Sequence, residues 1–137
     1  MAYWLFKSEP DVYGWDALVK DGKSGTEWTG VRNFSARNFM RQMKKGDRGF
    51  YYHSGGDRTV VGICEVVRQA HPDSTDDTGS WECVDIRAVE KAPKPVTLAE
   101  IKGEKALAAM ALVRLSRLSV QPVTDAEWKI VCKMAGL

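Results

Sequence analysis

The chain is poor in the residues from which most metal centres and nucleophilic sites are built: of 137 residues, two are histidine and three are cysteine. Cys64, Cys83 and Cys132 stand far apart, with no Cys-x-x-Cys pair, so neither a zinc-ribbon nor a thioredoxin-like spacing exists. Each lies in an apolar run, which predicts buried free thiols and a cytoplasmic protein in a reducing compartment. No Gly-rich phosphate loop, His-Glu-x-x-His pair or metal-spaced Cys/His set occurs. The expectation is a non-enzymatic protein with no catalytic residues, no metal and no cofactor. Sequence leaves a Cys–His nucleophilic pair open, but the apolar neighbours of Cys64 and Cys83 favour protonated, inert thiols. No apolar run reaches 18 residues, so no membrane-spanning helix is expected and the membrane is not a partner. Tyr3-Trp4-Leu5-Phe6 is not preceded by the charged region of a secretion signal. A net charge of only +2 argues against coating nucleic acid by charge alone.

Apolar residues make up 44% of the chain, enough for a sizeable core and against disorder. Charge is unevenly placed. Between Thr29 and Gly46 stand Arg32, Arg37, Arg41, Lys44 and Lys45 and no acid; between Pro72 and Glu90 stand six acids and a single Arg87. A positive face and a negative loop are expected. The most unusual stretch is Trp28-Thr-Gly-Val-Arg-Asn33, which no helix or strand period explains. Trp28 can stack a flat ligand, Asn33 can donate to and accept from a base edge, and Gly30 lets the backbone turn or approach a ligand closely. The same six residues also read as a loop in which Trp28 closes over the core.

The rest of the chain supplies the scaffold. Residues 2–7 read as an aromatic strand that ends at Lys7-Ser8-Glu9-Pro10, where polar side chains leave a rigid element. Asp11 caps a short helix with Trp15, Leu18 and Val19 on one face, stopped at Gly22. Ser35–Lys45 reads as a helix with Ala36, Phe39, Met40 and Met43 on a buried stripe and Arg37, Arg41 and Lys44 on another face, either simply solvated or facing phosphates. Residues 48–67 read as a hairpin with Tyr52, His53 and Ser54 near its tip, and 81–89 as a further strand. Lys91–Pro95 reads as a proline-rich connector, followed by short helical turns at 98–101 and 105–110. Residues 115–123 read as extended. Thr124 and Glu127 form a capping box for a last helix, whose Trp128 belongs to the core. This order fits a small mixed sheet curled into a partial barrel with helices around it.

Lys7-Ser-Glu-Pro10, Trp28–Asn33, Ala36-Arg-Asn-Phe-Met40, Gly46-Asp47, Tyr52-His-Ser54, Val61-Gly-Ile63 and Arg117-Leu-Ser-Val-Gln-Pro122 occur in this order over nearly the whole chain. Together they resemble the EVE domain family, a PUA-like group related to the YTH domains. The resemblance implies one EVE domain over residues 1–137 with an α+β, PUA-like mixed β-pseudobarrel and surrounding helices. It implies a non-enzymatic reader that takes a modified base, such as methylated or hydroxymethylated cytosine, flipped from DNA or RNA. Its pocket would be lined by Lys7, Ser8, Trp28, Asn33, Tyr52, His53, Ser54, Arg117, Leu118 and Ser119. Arg32, Arg37, Arg41 and Lys44 would meet the nucleic-acid backbone. Flipping a base costs a few kcal/mol, and stacking on an aromatic returns roughly 1–3 kcal/mol. A sensor of a free nucleobase or nucleotide-like molecule is the alternative, since the net charge is modest.

Overall fold

The computed structural model describes residues 2–137. Six strands, β1 (Tyr3–Ser8), β2 (Thr26–Glu27), β3 (Arg48–His53), β4 (Thr59–Pro72), β5 (Glu82–Thr97) and β6 (Val120–Val123), form one mixed sheet in the order β2-β5-β4-β3-β1-β6. β1 runs parallel to β3, from Tyr3 opposite Arg48 to Ser8 opposite His53, and antiparallel to β6. The other pairings are antiparallel. β4 and β5 are long and carry several register shifts, which bend and twist a ladder and let the sheet curl.

Strand alternation divides the apolar residues between two cores, one on each face. Trp4 and Phe6 of β1, Tyr51 of β3, Cys64 and Val66 of β4, and Val84 and Ile86 of β5 face one side. Three helices cover that side: α1 (Pro10–Tyr13), α2 (Trp15–Lys20) and α3 (Phe34–Gln42). Leu5, Phe50, Tyr52, Val60 and Val96 face the other side, under α4 (Leu98–Lys102), α5 (Ala111–Arg114) and α6 (Asp125–Met134). The capping box of α6 is present: Glu127 N–H donates to Thr124 Oγ1 at 3.2 Å and Thr124 N–H to Glu127 Oε1 at 3.0 Å. Trp128 is buried, stacked between Tyr3 and Phe50. A second box, Thr97 with Glu100, starts α4.

Four boundaries differ from the sequence reading, each for a local reason. The helix expected after Asp11 is broken at Gly14, whose extended backbone separates α1 from α2. The helix expected to reach Lys45 stops at Gln42, because Met43 is extended and buries its side chain in the first core. Residues 91–95 are strand, not connector. Their prolines fall between the pairs Gly62–Lys91 and Val60–Val96, where the ladder shifts register and needs no proline N–H. Only Val120–Val123 of the expected 115–123 strand pairs with the sheet. Residues 115–119 turn instead, held by buried Gln121, whose Nε2 donates to the Leu118 and Leu115 carbonyls at 2.8 and 3.2 Å.

Gly62 is where α2 meets the sheet. A Cβ there would stand 2.5 Å from the Trp15 ring and 2.8 Å from the Glu90 carbonyl oxygen. Gly62→Ala should therefore destabilise the fold by roughly 1–3 kcal/mol in urea unfolding, as overpacking of a filled core does. An unchanged midpoint would mean that the Trp15 ring is free to move.

Candidate functional site

The parallel pair ends at Ser8 and His53, and the chain leaves it on the side of the first core. A cavity of about 530 Å³ opens there, within the range of small-ligand sites. Lys7, Ser8 and Glu9 from the end of β1 and Ser119 from the turn before β6 form one wall. Val12 and Tyr13 of α1 form a second, and residues 26–32, from β2 through the Trp28 loop, form the third.

Trp28 supplies the aromatic surface. It is buried, and the rings of Tyr51, Phe6 and Tyr13 meet it edge-on at 5.6, 5.7 and 6.2 Å between centroids. Three T-shaped contacts fix the orientation of the indole. The Tyr13 carbonyl gathers the neighbouring hydroxyls: it accepts from Ser8 Oγ at 2.8 Å and from Tyr51 Oη at 2.7 Å. Lys7 Nζ donates to the Ser116 carbonyl at 2.9 Å, which leaves it two further N–H donors. Burial lowers the Lys7 pKa below the ordinary lysine value. Burial also raises Tyr13 to about 12, helped by its hydrogen bond to Asp21, so the phenol stays protonated.

The loop is held from outside by Asp73. Its carboxylate, fully buried, accepts from Gly30 N–H at 2.9 Å, Arg32 Nη1 at 3.2 Å, and Thr75 N–H and Oγ1 at 2.7 and 2.6 Å. Burial acts to raise the Asp73 pKa. The hydrogen bonds from Thr75, Gly30 and Arg32 outweigh it and hold the carboxyl at about 2. Gly30 has φ +81°, so the turn that presents its N–H to Asp73 favours glycine.

Of the residues expected to form the site, the structure brings together Lys7, Ser8, Trp28 and Ser119, with Arg32 at the mouth. The others stand elsewhere. Asn33 caps α3, with Oδ1 accepting from Ala36 N–H at 2.9 Å. Tyr52 is buried in the second core, and Leu118 in the first. His53 lines a separate depression with Pro10 and Trp15, and its Nε2 accepts from Trp15 N–H at 3.1 Å. Burial lowers the His53 pKa, which suits that acceptor role. Ser54 contributes a backbone bond to the Ser8 carbonyl, and Arg117 is exposed. Val12, Tyr13 and Glu27 line the cavity without having been singled out in the sequence. Glu27 directly precedes Trp28, whereas Val12 and Tyr13 fall in the helix expected after Asp11 but outside its apolar stripe of Trp15, Leu18 and Val19.

The positive face and the negative loop meet instead of standing apart. Arg32 pairs with Asp73, Arg41 with Glu82, and Arg37 Nη1 donates to the Ser80 carbonyl at 3.0 Å. Lys44, expected on the same helix face, is exposed two residues beyond the end of α3. Beside the cavity mouth this meeting builds a platform: Phe34, 64% exposed, stacks on Trp81 at 5.0 Å. Arg37 lies 4.9 Å over the Phe34 ring and 5.5 Å from that of Trp81, and Arg32 lies 5.5 Å from the Trp81 ring.

A curled mixed sheet with helices on both faces and a preset aromatic pocket at the end of its parallel pair defines a PUA-like α+β module. The chain belongs to the EVE domain family, whose model matches residues 2–134. A Rhodopseudomonas palustris protein solved by NMR is 57% identical, with a TM-score of 0.95 over 99% of this chain and 94% of that one. Human thymocyte nuclear protein 1 is 33% identical over 165 residues, spanning 97% of this chain and 73% of the relative. Its structure in complex with DNA containing 5-methylcytosine superposes with a TM-score of 0.90, covering 100% of this chain and 99% of that one. The YTH domain of Zygosaccharomyces rouxii MRB1, solved with N6-methyladenosine RNA, is 16% identical; it covers 98% of this chain and 86% of its own with a TM-score of 0.59, and shares the fold.

Because the Asp73 pKa is lowered by folding, its stabilisation is complete above the ordinary carboxylate pKa and is lost as pH falls from about 4 toward 2. The shift is worth roughly 2 kcal/mol. Urea unfolding at pH 7 and pH 3 should show a smaller acid loss in Asp73→Asn than in the parent protein. Equal losses in the two proteins would remove Asp73 from this role.

Proposed function

We propose that this protein is a non-enzymatic reader of a modified nucleobase, taking the base, flipped from DNA or RNA, into the cavity beside Trp28. The observation that carries the reading is the preset indole in a cavity that also holds Lys7, Ser8 and Ser119. A flipped base has lost its neighbours, and Trp28 offers a replacement face. In this reading Lys7 and Ser8 would meet polar atoms on the base edge, and Val12 and Val31, which also line the cavity, would give apolar contact to an added methyl. The human relative's complex with 5-methylcytosine DNA supports methylated cytosine as the first ligand to try.

The mouth suits a polymer. The guanidinium groups of Arg32 and Arg37 lie within 5.5 Å of the Trp81 ring, and the N–H groups not bonded to Asp73, Thr75, Ser80 and Asn38 would be those offered to phosphates. Exposed Phe34 is placed to contact a base or sugar next to the flipped nucleotide. In this reading Asn33 acts through the α3 cap, and Tyr52, Leu118 and His53 act by supporting the walls. The thiols suit a binding protein: burial pushes Cys64 up beyond the ordinary thiol range and Cys83 up to about 12, which leaves both poor nucleophiles. Three free cysteines support a reducing, cytoplasmic setting. No helix among the described residues is long and apolar enough to cross a membrane.

One observation favours the alternative, a sensor of a free nucleobase: Arg32 and Arg41 already have acidic partners, which weakens the field a phosphate chain would feel. The experiment is binding at fixed salt to single- and double-stranded DNA and RNA, unmodified or carrying methylated or hydroxymethylated cytosine or methylated adenine. The parent protein should prefer one modified strand. Trp28→Phe, which keeps an aromatic in the core, should weaken that binding about 5- to 100-fold, in line with losing part of a 1–3 kcal/mol stack. Arg37→Glu should weaken every oligonucleotide and flatten the salt dependence while leaving a free nucleobase unaffected. A protein indifferent to modification, yet binding free bases, would replace the reader by the sensor.

A further inference from the structure

Directly before the Trp28 loop, three strands bring four different ligand side chains together. Cys83 and Asp85 alternate on β5 and so share one face. His71 of β4 is the register partner of Cys83, and Glu27 of β2 is the register partner of Asp85. One ligand atom from each of the four lies within 4.8 Å of the others.

Three of these atoms form a nearly regular triangle. Glu27 Oε1 is 3.8 Å from His71 Nδ1 and 3.9 Å from Cys83 Sγ, and Sγ is 4.0 Å from Nδ1. A tetrahedral ion capping such a triangle stands about 2.4 Å from each corner, near the zinc–sulfur length and a few tenths of an ångström beyond the zinc–nitrogen and zinc–oxygen lengths, so the imidazole and carboxylate close in slightly on binding. The remaining polar atoms of the two outer ligands are already oriented. His71 Nε2 is 2.7 Å from Asp85 Oδ1, and Glu27 Oε2 accepts from Ser74 Oγ at 2.9 Å. A carboxylate behind a histidine and a hydroxyl behind a carboxylate are the supports that metal ligands commonly have.

We propose that Glu27, His71 and Cys83 bind a zinc ion, with Asp85 and Ser74 holding two of the ligands in place. Zinc takes the position of the thiol proton on Sγ, which leaves to solvent, and replaces the contact between His71 Nδ1 and the Pro72 carbonyl at 3.1 Å. The fourth tetrahedral position is left to water. A thiolate–imidazole–carboxylate set selects zinc over magnesium or calcium, which take oxygen ligands. The ion would tie two-residue β2 to β4 and β5, directly before Trp28. The assignment does not depend on what the cavity binds.

The test uses the full chain, stripped of metal by chelator and then titrated with zinc against a chromophoric chelator, and separately with cobalt(II). One zinc per chain with sub-micromolar affinity is expected, together with a thiolate-to-cobalt charge-transfer band. Asp85→Asn should weaken zinc about 10- to 100-fold. Cys83→Ser should abolish the cobalt band, while Cys132→Ser leaves both readouts unchanged. Absence of stoichiometric zinc, a cobalt spectrum without the thiolate band, or a band that follows Cys132 would each overturn the assignment. If Cys83→Ser does not fold, the parent, Asp85→Asn and Cys132→Ser decide it.

Discussion

The buried carboxylate of Asp73 is the interaction on which the pocket depends. It is held charged by four donors, two of them from the loop that carries Trp28. Those four bonds offset the desolvation of a carboxylate that water no longer reaches. Two segments of opposite charge, far apart in sequence, are thereby one assembly. The acid stretch is the outer support of the basic one, through Arg32–Asp73, Arg41–Glu82 and the stacking of Arg37 on Trp81. These contacts hold the arginine side chains beside the cavity in one arrangement.

The sheet sorts chemistry by alternation. In β3, Tyr51 turns to the pocket side and fixes Trp28, while its neighbour Tyr52 turns to the opposite core. A run of adjacent polar and aromatic residues at a strand end therefore cannot all reach one cavity. The Tyr52-His-Ser54 segment shows this: one side chain is in the second core, one holds α2, and one contributes only its backbone. The walls of the site come instead from the last residues of β1, from two-residue β2 and the loop after it, from α1 and from the turn before β6.

Much of this architecture was legible in the residues. The aromatic first strand, the hairpin, the buried stripe of α3 and the capping box of α6 follow from local periodicity and side-chain chemistry, which tertiary packing here reinforces. Trp28 and the Lys7-Ser8 end were visible as unusual side chains at element boundaries. What escaped was non-local. That the Arg32 and Arg41 charges are neutralised depends on where residues 73 and 82 fold, 41 positions away in each case. Asn33 looks the same in sequence whether its amide reads a base or caps a helix; only the backbone entering α3 distinguishes the two. The continuation of β5 past its prolines rests on a ladder irregularity that cannot be seen in one strand alone. The Glu27, His71 and Cys83 cluster has no sequence spacing, since cross-strand register assembles it.

The placement of β1 has a consequence for synthesis of the chain. This first strand lies between β3 and β6, and the ammonium of Lys7 is bound to a carbonyl 109 residues downstream. While residues 116–123 remain inside the ribosome, β1 has an unpaired edge and the Ser119 wall is missing. Helices and the long β4–β5 hairpin can form early, since their contacts are local. The cavity closes only after Ser119 has emerged, and the second core later still, when α6 follows; an incomplete chain can therefore carry most of the sheet and still present an open, adhesive strand where the finished protein presents a pocket.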